Sequence, residues 1–163
     1  MIEIKEASVH SRDAQALLRE LSGALQHITG ASGEQSFALG DLKDPRAVFV
    51  IAYADGIACG CGALRPYSPD AAEIKRVYAR PNTSGVGTAI VKALEAKAKA
   101  LGYARLLLET RKVNTTAVAF YQKLGYAVCS NFGKYVGRDE AVCMEKPLIH
   151  IKKPFQDINL LES

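Results

Sequence analysis

Apolar positions along the chain follow two rhythms, one of period two and one near 3.6. "IEIKEA" at 2–7 alternates and predicts a first strand. Ala14, Leu17, Leu18, Leu21 and Leu25 then recur at helical spacing, with Ser11 placed to cap the first turn. "ITGASGEQSF" breaks both rhythms and predicts a surface loop, followed by a short second helix near 35–42. "AVFVIAY" at 47–53 predicts a strand, which Asp55-Gly56 turns tightly into "IACGCGALRP". "AAEIKRVYAR" predicts a fourth strand. Beyond it Val86, Ile90, Leu94, Ala98 and Leu101 mark one helix face, while Lys92, Glu95 and Lys99 mark the wet one.

Gly102 predicts the end of that helix. "ARLLLET" is a continuous apolar run, as a strand covered on both faces would be. Ala117, Phe120, Tyr121 and Leu124 stripe a further helix closed by Gly125, and two last strands follow at about 126–130 and 140–147. The predicted order is β-α-α-β-β-β-α-β-α-β-β, an α/β domain around a mixed sheet with no internal repeat.

Composition narrows the classes. With 163 residues, 48% hydrophobic and 23% charged, the chain suits one globular domain. No apolar run approaches a membrane span and the N-terminus lacks a signal-peptide core, so the expectation is a cytoplasmic protein without a membrane partner. The net charge of +4 is scattered along helices, which argues against a nucleic-acid partner. Cys59, Cys61, Cys129 and Cys143 and the three histidines form no ligand pattern, so buried thiols are expected rather than a metal site. Cys59 and Cys61, two apart on a strand, are expected to share one face.

Candidate chemistry centres on "RPNTSGVGTAIVKALE" at 80–95, where a turn runs into a helix. A helix's first amides lack internal partners and carry the positive end of its dipole, so glycines there can cradle a phosphate. Gly85 and Gly87 equally suit a tight turn with no ligand. No G-x-x-x-x-G-K-[ST] string exists. A dinucleotide fingerprint would need a small residue where Ile90 stands, although Glu109 sits where a ribose-binding acid could be.

The turn reads Ser84-Gly85-Val86-Gly87-Thr88-Ala89. It resembles the [QR]-x-x-G-x-[GA] signature of the GNAT N-acetyltransferases, with Ser84 where Arg or Gln is usual. "EIKRVYARP" before it and "NTTAVAFYQKLGY" at 114–126 are also similar to that family, and the resemblance spans roughly 2–148. It implies a GNAT-like fold: a mixed central sheet of six to seven strands, flanked by four helices, with strands four and five splayed to hold CoA. The implied domain is 1–148, and 149–163 is a C-terminal extension.

The resemblance also implies acetyl-CoA as co-substrate and transfer of its acetyl group to a primary amine, by direct attack in a ternary complex. The amides of Gly85, Val86, Gly87, Thr88 and Ala89, with Ser84, would hold the pyrophosphate. Main-chain groups of Val77, Tyr78 and Ala79 would take the pantetheine arm. Tyr121 matches the tyrosine that serves the leaving sulfur in many relatives, its other reading being an aromatic core residue beside Phe120. Glu73 is the candidate general base, its other reading being a strand Glu paired with Lys75. Asn114 is a cofactor ligand or a helix cap, and Lys123 a phosphate ligand or a solvated lysine. A second function fits the same fold: an acyl-CoA-binding sensor without turnover. The apolar tail "IHIKKPFQDINLLES" is expected to dock on its own domain or across a homodimer.

Overall fold

The computed structural model describes residues 1–34 and 39–148. The expected extension therefore lies outside the described residues. Seven strands form one sheet: β1 (Ile2–Glu6), β2 (Val48–Ala54), β3 (Ile57–Ser68), β4 (Ala71–Ala79), β5 (Arg105–Arg111), β6 (Ala127–Cys129) and β7 (Ala141–Pro147). Their order across the sheet is β1-β2-β3-β4-β5-β7-β6. Three α-helices accompany it among the described residues: α1 (Arg12–Thr29), α2 (Val86–Ala100) and α3 (Thr115–Lys123). The sequence predicted a fourth near 35–42. There Leu39–Lys43 is a 3-10 turn, and 35–38 lie outside the described residues. No described helix is long and apolar enough to cross a membrane.

Local chemistry accounts for the elements. Ser11 caps α1, its side chain accepting from the Ala14 amide at 3.2 Å. Asp55 and Gly56 both adopt positive φ, as a two-residue hairpin between right-twisted strands requires. All neighbouring strands pair antiparallel except β4 and β5. A parallel pair needs a crossover, and α2 supplies it.

Helix α1 covers one face of the sheet, with Leu17, Leu18, Phe49, Ile51 and Cys61 in one cluster. Helix α2 covers the other through Val86, Ile90, Leu94 and Ala98. It sits very close to β3. A Cβ on Gly60 would stand 2.6 Å from the Tyr78 carbonyl oxygen, and one on Gly62 would stand 2.6 Å from Ile90. The glycines of "CGCG" thus seat a helix.

The cysteines do not share a face. Ala52 pairs with Gly60 and Tyr53 with Ala58, so Cys59 is an extra residue in β3. That bulge reverses the alternation and sends Cys59 to the α2 cluster and Cys61 to the α1 cluster. All four cysteines are free thiols.

A second bulge shapes the middle of the molecule. Cys61 pairs with Tyr78 and Ala63 with Lys75, which inserts one residue into β4 around Arg76, whose φ is +57°. A bulge bends its strand. The parallel ladder between β4 and β5 runs Ala71↔Arg105, Ala72↔Leu106 and Glu73↔Leu107, and ends there. Beyond Glu73 the two strands diverge, as the resemblance implied.

Candidate active site

The glycine turn opens α2. Gly85 is its N-cap residue at φ 75°, in the left-handed region, with no side chain capping the helix. The first intrahelical amide bond is Ala89 to the Gly85 carbonyl, at 3.0 Å. The amides of Val86, Gly87 and Thr88 therefore precede the helix's own hydrogen bonds. The positive φ that excludes side chains belongs to Gly85. Gly87 answers to a different constraint, since a Cβ there would meet the Phe120 ring at 3.3 Å. Ser84 is exposed and stands one residue before the N-cap. The Val86 side chain is core, 2% exposed, so that residue can offer a ligand only its main chain.

Where β4 and β5 part, a cleft of roughly 150 Å³ opens. Helix α1 contributes Leu21, Leu25 and Thr29 to its walls, β4 contributes Ile74 to Val77, and β5 contributes Leu108 to Arg111. Helix α3 completes it with Asn114, Ala117 and Tyr121. The Asn114 side chain accepts from the Ala117 amide at 3.2 Å, so it caps α3 while lining the cleft. Of the β4 end, Val77 lines the cleft, whereas the Tyr78 hydroxyl donates to Glu20 on α1 at 3.2 Å. Arg80 and Glu20, 2.8 Å apart, pin that strand end to α1.

Tyr121 is buried among Phe120 and Tyr126, its ring edge-on to each at 4.9 and 5.6 Å between centroids. The core reading of this residue holds, and the same side chain also lines the cleft. Burial keeps its hydroxyl protonated well above the usual tyrosine range.

Glu73 lies outside the cleft lining and is 2% exposed. Its Oε1 accepts from Arg65 Nε at 3.0 Å and Nη2 at 2.9 Å. Its Oε2 accepts from the Tyr135 hydroxyl at 2.8 Å. Lys75 Nζ donates to that same hydroxyl at 2.8 Å and stands 3.6 Å from Glu73 Oε2. The pairing with Lys75 read from the strand exists, but in a buried network rather than on a surface. Burial pulls the Lys75 ammonium down to about 8, partly opposed by Glu73.

The carboxylate that does line the cleft is Glu109, with 8% of its side chain exposed. Burial raises its pKa above the usual carboxylate range, against the pull of Arg111, whose Nη1 stands 3.0 Å from Glu109 Oε2. Sequence reasoning weighed Glu109 only as a ribose ligand, and it missed Lys75, Arg76, Arg111 and Tyr135. Period-two alternation from Glu73 could have marked Lys75, and alternation from Leu107 could have marked Glu109 and Arg111. Nothing local could have marked Tyr135, which arrives from the 3-10 turn Gly133–Tyr135, 60 residues beyond Lys75.

The parted β4–β5 pair holds the cleft that Tyr121 lines, and the uncapped glycine turn leaves three amides ahead of α2's own hydrogen bonds. Residues 14–126 match the "Acetyltransferase (GNAT) family". The chain is 33% identical to the IAA acetyltransferase of Azospirillum brasilense over 135 residues, covering 81% of this chain and 88% of that one. Among solved structures, a candidate acyl-CoA N-acyltransferase from Klebsiella pneumoniae superposes with TM-score 0.76 at 29% identity, covering 91% of this chain and 99% of that one. The PaiA N-acetyltransferase of Thermoplasma acidophilum, solved in complex with coenzyme A, shares the fold with TM-score 0.68 at 19% identity, over 90% and 99% of the two chains. The chain belongs to the GNAT family of acetyltransferases.

Proposed function

We propose that the protein transfers an acetyl group from acetyl-CoA directly to a primary amine, with donor and acceptor bound together. Membership of an acetyltransferase family and the coenzyme A held by the PaiA structure support the donor. The amides following Gly85 suit the pyrophosphate, and the β4 edge at Val77, Tyr78 and Ala79 suits the pantetheine arm, since β5 no longer pairs with it. The observation that carries the reading is Tyr121, which lines the cleft together with Val77 and keeps its hydroxyl protonated.

In this reading the amine nitrogen bonds to the thioester carbonyl carbon and the C–S bond breaks. Tyr121 gives its proton to the departing sulfur, and a carboxylate takes the proton from nitrogen. Holding both reactants in one cleft supplies much of the rate. Glu73 was the base expected from sequence. Its oxygens accept from Arg65 and Tyr135, and among its partners Lys75 lines the cleft. Glu109 lines the cleft itself and is desolvated, so we assign it the base and assign Glu73 the positioning of Lys75 and Tyr135.

Incubation with acetyl-CoA and a broad amine panel, following free thiol, tests the function. Amine-dependent thiol release is expected, and Tyr121→Phe should lower kcat by ~10²- to 10⁴-fold with acetyl-CoA affinity retained. Coenzyme A binding without release under any amine would favour the alternative, a sensor on the same fold. A fully active Tyr121→Phe variant would return Tyr121 to packing alone.

A further inference from the structure

The cleft carries an unusual balance of charge for a site that receives an amine. Among the described residues, Lys75, Arg76 and Arg111 line it against a single carboxylate, Glu109. Around these, Arg65 and Lys134 act electrostatically on Lys75, and Arg138 acts on Glu109. The opposing carboxylates are Glu73 beside Lys75, Glu140 at 3.7 Å from Arg111, and Glu34 acting on Arg76. Among these described residues cations outnumber anions. An acceptor whose sole charge is an ammonium ion would enter against that field.

We propose that the acceptor carries a carboxylate beside its amine, as an α-amino acid does, with the carboxylate held by Lys75 and Arg111 and the side chain laid against Leu21 and Leu25. The inference rests on the acetyltransfer reading and names the acceptor class of that same site. Opposite charges alternate over a short distance along the cleft, since Glu109 and Arg111 are separated by 3.0 Å. That spacing matches a zwitterion, the ammonium facing Glu109 and the carboxylate facing the cations. Among the described residues the Arg111 guanidinium meets Glu109 and Glu140 through Nη1, which leaves Nε and Nη2 as donors for a planar carboxylate. Lys75 presents a point charge from a rigid, buried seat on Tyr135. The apolar wall from α1 leaves room for a hydrocarbon side chain rather than a second charge.

The test uses matched triplets with the side chains of leucine, methionine and phenylalanine: the free amino acid, its amide, and the decarboxylated amine. Calorimetry on the coenzyme A-loaded protein should show at least one free acid binding at least ~10-fold tighter than its amide and amine. Arg111→Gln, at a side chain 25% exposed, and Lys75→Met should each collapse that ratio toward one. Using a ratio cancels any general loss of affinity in the variants. Equal affinity across every triplet, no binding of any free acid, or a ratio untouched by both substitutions would overturn the proposal. Thiol release is read separately. Release with amides and bare amines at the rate of the acids leaves acetyltransfer standing and removes the carboxylate pocket. Carboxylate-selective binding without release under any amine removes acetyltransfer instead.

Discussion

Glu73 and Glu109 stand on neighbouring strands and on one face of the sheet, since Glu73 pairs with Leu107 and Glu109 lies two residues beyond it. Their surroundings oppose each other. Arg65 grips one oxygen of Glu73 and the Tyr135 hydroxyl grips the other. Glu109 has one guanidinium beside it and a cleft in front, and burial outweighs the pairing. The first carboxylate has both oxygens held by partners, and in the proposed mechanism the second exchanges the proton. In the proposed roles, two like residues on adjoining strands are divided between structure and chemistry by the side chains that reach them.

The largest expected effect tests that division on the rate. Glu109→Gln should lower kcat by ~10²- to 10⁴-fold and flatten the acid limb of the rate profile. The sign follows from the raised pKa: the base form appears only above the usual carboxylate range, so the wild-type rate climbs with pH through that window. Glu73→Gln should keep the limb. If Glu73→Gln loses the limb and Glu109→Gln keeps it, the two roles are exchanged.

Stability should divide the pair the other way. Glu73→Gln leaves Arg65 and Lys75 facing a neutral amide inside the protein, and breaking a buried pair costs about 3–5 kcal/mol. Glu109→Gln should match or exceed wild type at neutral pH. A raised folded-state pKa contributes stability at low pH that is lost as pH rises through it, so any advantage of the variant should vanish toward acid. Denaturant melts of both variants across pH check this. A Glu73→Gln variant as stable as wild type would break the comparison.

A smaller effect isolates the hydroxyl between Lys75 and Glu73. Tyr135→Phe removes two hydrogen bonds of 2.8 Å to charged groups and should cost roughly 1.5–3 kcal/mol in melts. The acid limb should stay in place, and its displacement would join Tyr135 to the proton path. The smallest effect contrasts buried charge with exposed charge. Ser84→Arg adds a cation ahead of α2 in solvent and should tighten acetyl-CoA by roughly 0.3–2 kcal/mol, a gain that salt shrinks. Unchanged or weaker binding at low salt would mean that Ser84 does not face the pyrophosphate.

Much of this was legible in the linear chain because it depends on near neighbours. Alternation and helical spacing located seven strands and three helices, and Asp55-Gly56 marked the hairpin. The strand–turn–helix at Gly85 was readable because helix capping is a property of consecutive amides. Ser11 and Asn114 could be named as caps for the same reason.

What the sequence by itself determined, then, is the order of elements, the family motif, and the candidacy of Tyr121 and the glycine turn. The tertiary structure alone decided the rest. Bulges at Cys59 and Arg76 insert single residues that no periodicity announces, and each reverses which face the following side chains take. One of them separates Cys59 from Cys61, and the other accompanies the parting of β4 from β5. The split between Glu73 and Glu109 depends on Arg65, Tyr135 and Arg111, side chains that meet only once the sheet is assembled. Burial and charge are sums over everything nearby in space, and neighbours in space are what a linear chain does not list.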